Sequence, residues 1–370
     1  MSAERVTRSM FLVACAAVLS AACAGCLPVE LSVSPQGEFL IPRQEGFVLL
    51  DPAKSQAKVL AGAEGGEPAF AVFAPGGGEF LAVRKTGGGF SVSRMGREGA
   101  GKEIFSGSNL TYARWSPDAK KVSLTRVSDD QNETVKENLP ELIVVDAGGA
   151  GKKTVLSGCS VIHRWTADSA SILAVQITAK EKEKDRYIGQ MVLVGAADGA
   201  IKPVCSVVSE KKMFLDLSAD GKKALIVAAK LGKADEKLTV GDESSRLFEV
   251  TLADGSFRQV RDEAVYALYS PKGDQVLVGA RGEDGLLTLA VADSAFAKST
   301  IVARDAAKSA GDGPDSVDIY PGWVNDKTVH YLRRRAVFGT QGKNLQLVTV
   351  GADGKGLANL QPVIGSALKD

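Results

Sequence analysis

The chain has 370 residues, with 45 Lys and Arg against 44 Asp and Glu, so its charges nearly cancel. Proteins that bind nucleic acids usually carry a basic excess, and this balance argues against a nucleic-acid partner. With 2 His and 5 Cys, the chain offers little for metal sites built on imidazole or thiolate clusters. The content of 45% apolar and 24% charged residues is typical of a folded globular protein.

The first predicted element is a targeting signal. Residues 1–9 carry Arg5 and Arg8, and residues 10–22 form an apolar run of 13 residues rich in small side chains. A helix needs ~20 residues to cross a bilayer, so this run is too short for a membrane span. A basic start, a short apolar core and small residues indicate a secretory signal, and we predict a signal peptide over residues 1–22.

Two cysteines follow small residues directly, in Ala-Ala-Cys23 and Ala-Gly-Cys26. This pattern resembles the bacterial lipoprotein signal, in which a cysteine is lipidated and becomes the mature N-terminus. The resemblance implies lipid on Cys23 or Cys26, and residues 23–27 as a tether to the membrane. Neither cysteine is followed by Asp, which by the same resemblance implies the outer membrane, with the protein facing the periplasm. A cleaved signal with incidental cysteines is the alternative.

One turn-and-strand pattern then recurs seven times. A large apolar residue is followed by a small or hydroxyl residue, then Pro or Ala, then Asp or Gly, and then an apolar strand. The leading residues are Val33, Phe73, Trp115, Trp165, Leu217, Tyr269 and Trp323. Repeats of this length are typical of propeller blades.

Each repeat has the composition of a four-stranded blade. The Pro-Asp-Gly segments favour tight turns, and each is followed by two apolar runs and a second turn of the Asp-Gly type. We therefore predict an all-β protein: a seven-bladed β-propeller of four-stranded antiparallel blades over residues 28–362, with a C-terminal tail at 363–370. Residues 356–360 supply the last outer strand, so blades 1 and 7 should meet without exchanging a strand.

The best-preserved repeats carry a family resemblance. Trp115-Ser116-Pro117-Asp118-Ala119 resembles the TolB-type, WD40-like propeller repeat, and the sixth repeat, led by Tyr269, matches it similarly. The resemblance covers residues 28–362, although repeats 4, 5 and 7 replace the Pro. It implies the propeller fold and a protein-interaction scaffold of the cell envelope. Function is the weaker implication, because propellers host many unrelated functions.

Three charged residues occupy the position just before the leading residue in consecutive repeats. They are Arg114, Arg164 and Asp216, all on predicted innermost strands. One interpretation is a tie between neighbouring blades or a lining of the central channel. The other is an axial pocket in which the arginines bind an anionic small molecule or a glycan. In the fourth repeat, Cys159 and Cys205 are compatible either with a disulfide or with two buried thiols.

Long insertions separate the second and third strands of blades 3, 4 and 5. They span residues 128–140, 178–188 and 230–245. Antiparallel blades place these loops and the blade connections on one face, here called the loop face, and the Ser-Pro-Asp-Gly turns on the opposite turn face. Binding residues concentrate on loops borne by rigid scaffolds, so we predict that the three insertions form one partner-binding rim. The candidate contact residues are Asp129, Asp130, Glu133, Lys182, Lys184, Arg186, Asp235 and Lys237.

Catalytic motifs are missing from the sequence. There is no Gly-x-Ser-x-Gly nucleophile elbow, and no P-loop or dinucleotide fingerprint follows a strand. We therefore predict a non-enzymatic, lipid-anchored binding scaffold without metal or cofactor, whose partners are envelope proteins. Ligand binding in the axial pocket is the alternative. Because the three insertions are polar, we also expect that shortening them leaves stability nearly unchanged.

Overall fold

The computed structural model describes residues 31–43, 46–60, 65–210, 213–241, 243–283, 286–304, 316–336 and 343–360. Their regular structure is entirely β-strand. The predicted signal peptide, the tether with Cys23 and Cys26, and the tail at 363–370 lie outside the described residues. In the part of the chain that the structure describes, no helix could cross a membrane.

The first four blades follow one another along the chain. Blade 1 contains β1 (Ser32–Val33), β2 (Phe39–Arg43), β3 (Gly46–Asp51) and β4 (Gln56–Leu60). Blade 2 contains β5 (Glu67–Phe73), β6 (Glu79–Thr86), β7 (Gly89–Gly96) and β8 (Gly101–Gly107). Blade 3 contains β9 (Leu110–Trp115), β10 (Lys121–Val127), β11 (Pro140–Asp146) and β12 (Lys153–Ser157). Blade 4 contains β13 (Arg164–Trp165), β14 (Ser171–Glu181), β15 (Arg186–Gly195) and β16 (Ile201–Glu210).

The remaining three blades complete the ring. The repeat of blade 5 contains β17 (Leu215–Leu217), β18 (Lys223–Ala228), β19 (Lys230–Lys233), β20 (Arg246–Thr251) and β21 (Phe257–Arg261). Blade 6 contains β22 (Ala264–Tyr269), β23 (Gln275–Arg281), β24 (Leu287–Asp293) and β25 (Ser299–Arg304). Blade 7 contains β26 (Ser316–Asn325), β27 (Thr328–Ala336), β28 (Lys343–Gly351) and β29 (Ala358–Asn359).

The predicted fold is confirmed: seven blades, each with four antiparallel strands from its own repeat. Blade 4 departs from the prediction, because β19 leaves the repeat of blade 5 and pairs with β16 as a fifth strand. Two of the predicted loops are therefore partly strand. Residues 178–188 form the end of a long β14–β15 hairpin, and residues 230–245 begin with β19.

The repeated turn is held by its own hydroxyl and carboxylate groups. In blade 3, the Ser116 hydroxyl accepts a hydrogen bond from the backbone N–H of Lys121 (2.9 Å) and donates to Asp118 Oδ1 (2.6 Å). Asp118 in turn accepts from the N–H of Lys120 (3.1 Å). The same arrangement recurs in blades 4 and 5. In these three blades, the bonds give a structural role to the hydroxyl residue and to the acid two positions later.

In three blades, the leading aromatic residue bonds to the preceding blade. The Trp115 indole N–H donates to the carbonyl of Val72 (3.2 Å), and that of Trp323 donates to Leu268 (3.2 Å). The backbone N–H of Phe73 donates to the Ser32 hydroxyl (2.7 Å). In these three pairs, the acceptor is the residue just before the leading residue of the preceding blade. This position therefore serves inter-blade bonding as well as lining the axis.

Blades 1 and 7 meet through apolar side chains. Phe39 and Leu50 of blade 1 form a cluster with Leu347 and Leu360 from the seventh repeat. The Phe39 ring also packs edge-on against His330, with ring centroids 5.2 Å apart. Because both blades keep all four of their own strands, the prediction of closure without strand exchange is confirmed.

Candidate functional site

The structure brings the three predicted axial residues into one network. Arg164 donates from Nε to Asp216 Oδ1 (2.7 Å) and from Nη1 to the hydroxyl oxygen of Tyr112 (2.6 Å). Arg114 donates from Nε to the same hydroxyl oxygen (2.6 Å). These four residues lie on or beside the innermost strands of blades 3, 4 and 5, so the network links three neighbouring blades at the axis.

A fourth blade joins through Asp216. Its second carboxylate oxygen accepts a hydrogen bond from the backbone N–H of Tyr269 in blade 6 (2.9 Å). The side chains of Arg164 and Asp216 are only 5% and 14% exposed, so they form a largely buried ion pair. Removing one partner of such a pair leaves the other charge buried without compensation, which is strongly destabilising. This geometry fits the predicted tie between blades; whether the arginines also bind a ligand stays a prediction.

Sequence reasoning missed the part played by Tyr112. Its ring packs edge-on against His163, with ring centroids 5.1 Å apart. The buried His163 ring is held in turn by the hydroxyls of Ser123 (2.6 Å) and Thr125 (3.0 Å). The network therefore rests on a hydrogen-bonded layer of side chains behind it. The sequence did contain one indication of this role: Tyr112 precedes Arg114 by two residues on the same predicted inner strand.

A cavity of about 340 Å³ lies along the axis. One part of its wall is polar and includes Tyr112, Arg114 and Asp216. Another part is apolar and includes Phe73 and Trp323. Small-molecule sites usually start near ~300 Å³ and combine apolar walls with a few polar groups, so the cavity is adequate for a small ligand.

The rim insertions of blades 3 and 4 are bonded to one another. Glu137 of the blade 3 insertion accepts from Lys180 Nζ (2.5 Å) and from the Tyr187 hydroxyl (2.6 Å), both on the blade 4 hairpin. The ion pairs with Glu137 and Asp185 raise the pKa of Lys180, which keeps this amine charged. Burial and the neighbouring Glu137 raise the pKa of Tyr187 to about 12, so its hydroxyl stays protonated and can donate.

The insertions of blades 4 and 5 are joined as well. Arg186 Nη2 donates to the carbonyl of Glu243 (3.1 Å), and Gln190 Nε2 donates to the carbonyl of Ala234 (2.6 Å). Strand β19 adds a backbone ladder along β16. The three predicted insertions thus lie together on the loop face as one continuous surface, here called the rim.

The predicted rim residues differ in their exposure. Seven of them are exposed: Asp129, Asp130, Glu133, Lys182, Lys184, Asp235 and Lys237. Arg186 is partly buried and holds the blade 5 insertion in place. Asp129 accepts hydrogen bonds from Ser108 and Asn109 and so helps fix the local loop geometry.

The expectation that these insertions could be shortened without touching the core was wrong. Val135 and Leu139 of the blade 3 insertion are buried in the same cluster as Tyr187 and Leu231. Leu238 of the blade 5 insertion packs in a second cluster with Val208 and Ala229. The sequence pattern hid these anchors because isolated apolar residues within polar segments give no periodic signal.

The potential metal ligands and the two thiols of the described residues complete the account of their chemical groups. No group of three or more His, Cys, Asp or Glu that could hold a metal ion occurs among them. Cys159 and Cys205 are both buried and free, so of the two alternatives the pair of buried thiols is the observed one. Burial raises the pKa of each thiol to about 12, which keeps both protonated and unreactive near neutral pH.

Comparison with solved structures identifies the fold. TolB from Acinetobacter baumannii is 15% identical, with a TM-score of 0.52 over 87% of this chain and 78% of that one. The tricorn protease is 11% identical, with a TM-score of 0.60 over 91% of this chain and 36% of that one. A puromycin-hydrolyzing peptidase from Mycobacterium tuberculosis is 11% identical, with a TM-score of 0.60 over 90% and 53%.

These similarities show a shared fold and do not establish a shared function. No family model matches the chain, and no curated protein matches it. The chain spans about half of the length of the mycobacterial peptidase and about a third of the tricorn protease. Because the similar structures include both TolB and peptidases, the shared propeller does not by itself separate binding from catalysis.

Proposed function

We propose that this protein is a non-catalytic, protein-binding propeller, held in the bacterial cell envelope by lipid on Cys23 or Cys26 and facing the periplasm from the outer membrane. Its partner is an envelope protein that contacts the rim. The observation that carries the proposal is the bonding of three insertions from adjacent blades into one surface, through Glu137, Arg186 and β19.

The rim has a charge pattern suited to selective recognition. Its blade 3 part carries exposed acids, among them Asp130 and Glu133, while the blade 4 hairpin alternates exposed Lys182 and Lys184 with exposed acids. Complementary charges on a partner would steer its approach and set its register on the rim. Partner association should therefore slow as ionic strength rises.

Charge reversal tests the rim without touching its apolar anchors. Lys182→Glu with Lys184→Glu should abolish recovery of the partner in a crosslinking pulldown from envelope extracts. The matched control is Lys120→Glu with Lys222→Glu, which reverses two exposed lysines on the turn face. Equal recovery of the same partner by both double variants and by the wild type would overturn the rim proposal.

The axial cavity supports a second candidate, the binding of a small molecule or a glycan. Its volume of about 340 Å³ and its polar wall around Arg114 and Asp216 favour it. A ligand of this site should raise the melting temperature of the wild type more than that of Arg114→Met. The rim variants should respond to the ligand like the wild type, which separates the two functions.

A further inference from the structure

We infer that the lipid anchor holds the propeller with its loop face towards the membrane, so that the rim receives a partner at the membrane surface. The turn face is then the face open to the compartment. This inference rests on the proposed lipid attachment at Cys23 or Cys26. The inference specifies how the propeller is oriented on the membrane and where its partner lies. Lipid attachment alone specifies neither.

The first observation is the place where the chain enters the fold. Leu31 lines the axial cavity and directly precedes β1, so the chain enters next to the propeller axis. Strand β1 pairs antiparallel with β2, with Ser32 opposite Leu40. Followed backwards from Ser32, the direction of β1 runs along β2 towards Arg43, where the β2–β3 hairpin closes on the loop face. The described chain therefore begins beside the axis, on a strand whose N-terminal end points towards the loop face.

The second observation is the short distance between the anchor and this point. An extended chain spans at most ~3.5 Å per residue, which gives about 17 Å from Cys26 to Leu31 and about 28 Å from Cys23. A compact domain of this size has a radius of gyration of about 20 Å, which corresponds to a body radius of about 26 Å. A tether from Cys26 is thus too short to pass around the edge of the propeller. A tether from Cys23 reaches the edge only when fully extended.

The charges of the blade 4 hairpin provide no comparable attraction to the membrane. On the blade 4 hairpin, exposed Lys182 and Lys184 alternate with exposed Glu181 and Glu183. Such a mixed surface lacks the cluster of basic residues that binds anionic lipid headgroups. The orientation therefore depends on the tether length, and high salt should not disturb it.

The consequence for the partner is specific. A soluble protein free in the compartment would meet the turn face, whereas the rim faces a gap that the tether limits to about 28 Å at most. The partner of the rim is therefore a membrane-embedded or membrane-attached protein in the same leaflet region. This refines the envelope partner of the proposed function to one that presents its contact surface close to the lipid.

Site-directed fluorescence can test the orientation on the full lipidated protein. Because Cys159 and Cys205 are buried, a dye will label an introduced surface cysteine selectively. Mass spectrometry first identifies the lipidated residue; where it is Cys23, the measurements use a Cys26→Ser background. A protein without lipid would contradict the proposed anchor, a failure distinct from that of the orientation.

The two reporter variants are Lys182→Cys on the rim and Lys222→Cys on the turn face, both at exposed positions of adjacent blades. In vesicles of neutral phosphatidylcholine with an acceptor dye on the headgroups, we expect higher energy transfer from position 182 than from 222. The difference should persist in about 1 M salt, where electrostatic attraction is screened within about 3 Å.

A longer tether provides the decisive control. Inserting about 20 Gly and Ser residues after Leu27 adds a root-mean-square reach of about 25 Å, enough to release the constraint. The difference between positions 182 and 222 should then be lost while membrane attachment stays. Equal or higher transfer from position 222 in the natural chain would overturn the inference, and so would a preference for position 182 that survives the insertion.

Discussion

The turn face and the loop face of this propeller are built by different means. On the turn face, a Ser or Thr hydroxyl bonds to a carboxylate a few residues away in the turns of blades 1, 3, 4, 5 and 6, as Ser116 and Asp118 do. On the loop face, the rim insertions are held by residues from neighbouring blades, as Glu137 holds Lys180 and Tyr187. A locally closed face can repeat with little change, whereas a face held by tertiary contacts can diversify blade by blade. The diversified face is the one we assign to partner binding.

The largest effect should come from removing a rim anchor. Leu139→Ala deletes a side chain that is 5% exposed within the core cluster of blades 3 to 5. Truncating a buried leucine costs about 2–5 kcal/mol, so we expect a large drop in the free energy of unfolding by denaturant titration. Glu133→Ala, an exposed change in the same insertion, should stay within about 0.5 kcal/mol. Equal effects of the two variants would mean that the rim is independent of the core.

On the turn face, we expect the largest loss of stability from Glu38→Gln, and the size of this loss should depend on pH. Glu38 accepts a bidentate ion pair from Arg97 (2.8 and 2.5 Å), which holds the pKa of this carboxyl below its usual value of 4.5. A lowered folded-state pKa stabilises the protein above the usual value, and this stability is lost as the pH falls through the folded-state value. Glu38→Gln should therefore cost about 2 kcal/mol at pH 7 and progressively less in acid.

The control for this pH effect is Glu98→Gln, which removes an exposed acid whose contact with Lys58 is 3.6 Å long. Exposed pairs of this kind contribute about 0–1 kcal/mol, so its unfolding curve should follow the wild type at every pH. Parallel unfolding curves of Glu38→Gln and the wild type from pH 7 to pH 3 would show that Glu38 does not supply the acid sensitivity.

The smallest effect concerns one backbone position of the repeated turn. Ala119 has φ of 57°, and the equivalent Gly221 has φ of 67°. The left-handed region costs a residue with a Cβ roughly 1–2 kcal/mol, part of which glycine loses again through its greater freedom in the unfolded chain. Ala119→Gly should therefore stabilise the protein by up to about 1 kcal/mol, measured as a rise in melting temperature.

The reverse substitution is the matched test of the same argument. A Cβ at Gly221 would meet no atom of another residue closer than 3.9 Å, so Gly221→Ala adds backbone strain without a clash. It should destabilise the protein by a similar amount. A rise in melting temperature for Gly221→Ala would show that turn conformation does not limit the stability of this face.

The same contrast explains how far the sequence predicted the structure. The leading residues and their turns predicted all seven blades and the closure between blades 1 and 7, because turn chemistry and strand alternation are local. The grouping of Arg114, Arg164 and Asp216 followed from counting equivalent repeat positions. The hydroxyl of Tyr112 as the common acceptor of the two arginines did not, because its place in the network depends on Arg164 from the neighbouring blade.

The rim was predicted only in outline. Its position followed from antiparallel topology, but the buried Leu139 and the strand β19 did not, since each depends on a surface supplied by another blade. Lys182 and Lys184 lie exposed as predicted, whereas Arg186 is used to hold the insertion of blade 5. Charge runs alone do not distinguish a residue that contacts solvent from one that bonds to a neighbouring loop.

Strand β19 also has a consequence for solubility. The outer strand of blade 4, β16, has ten residues, whereas the outer strands of the other blades have two to seven. A long outer strand with free N–H and C=O groups is a template on which another chain can add a strand and start aggregation. Because β19 pairs with residues 205–208 of β16, it covers part of the longest such edge among the described blades. The insertion of blade 5 thus leaves less of this edge open to strand addition by another molecule.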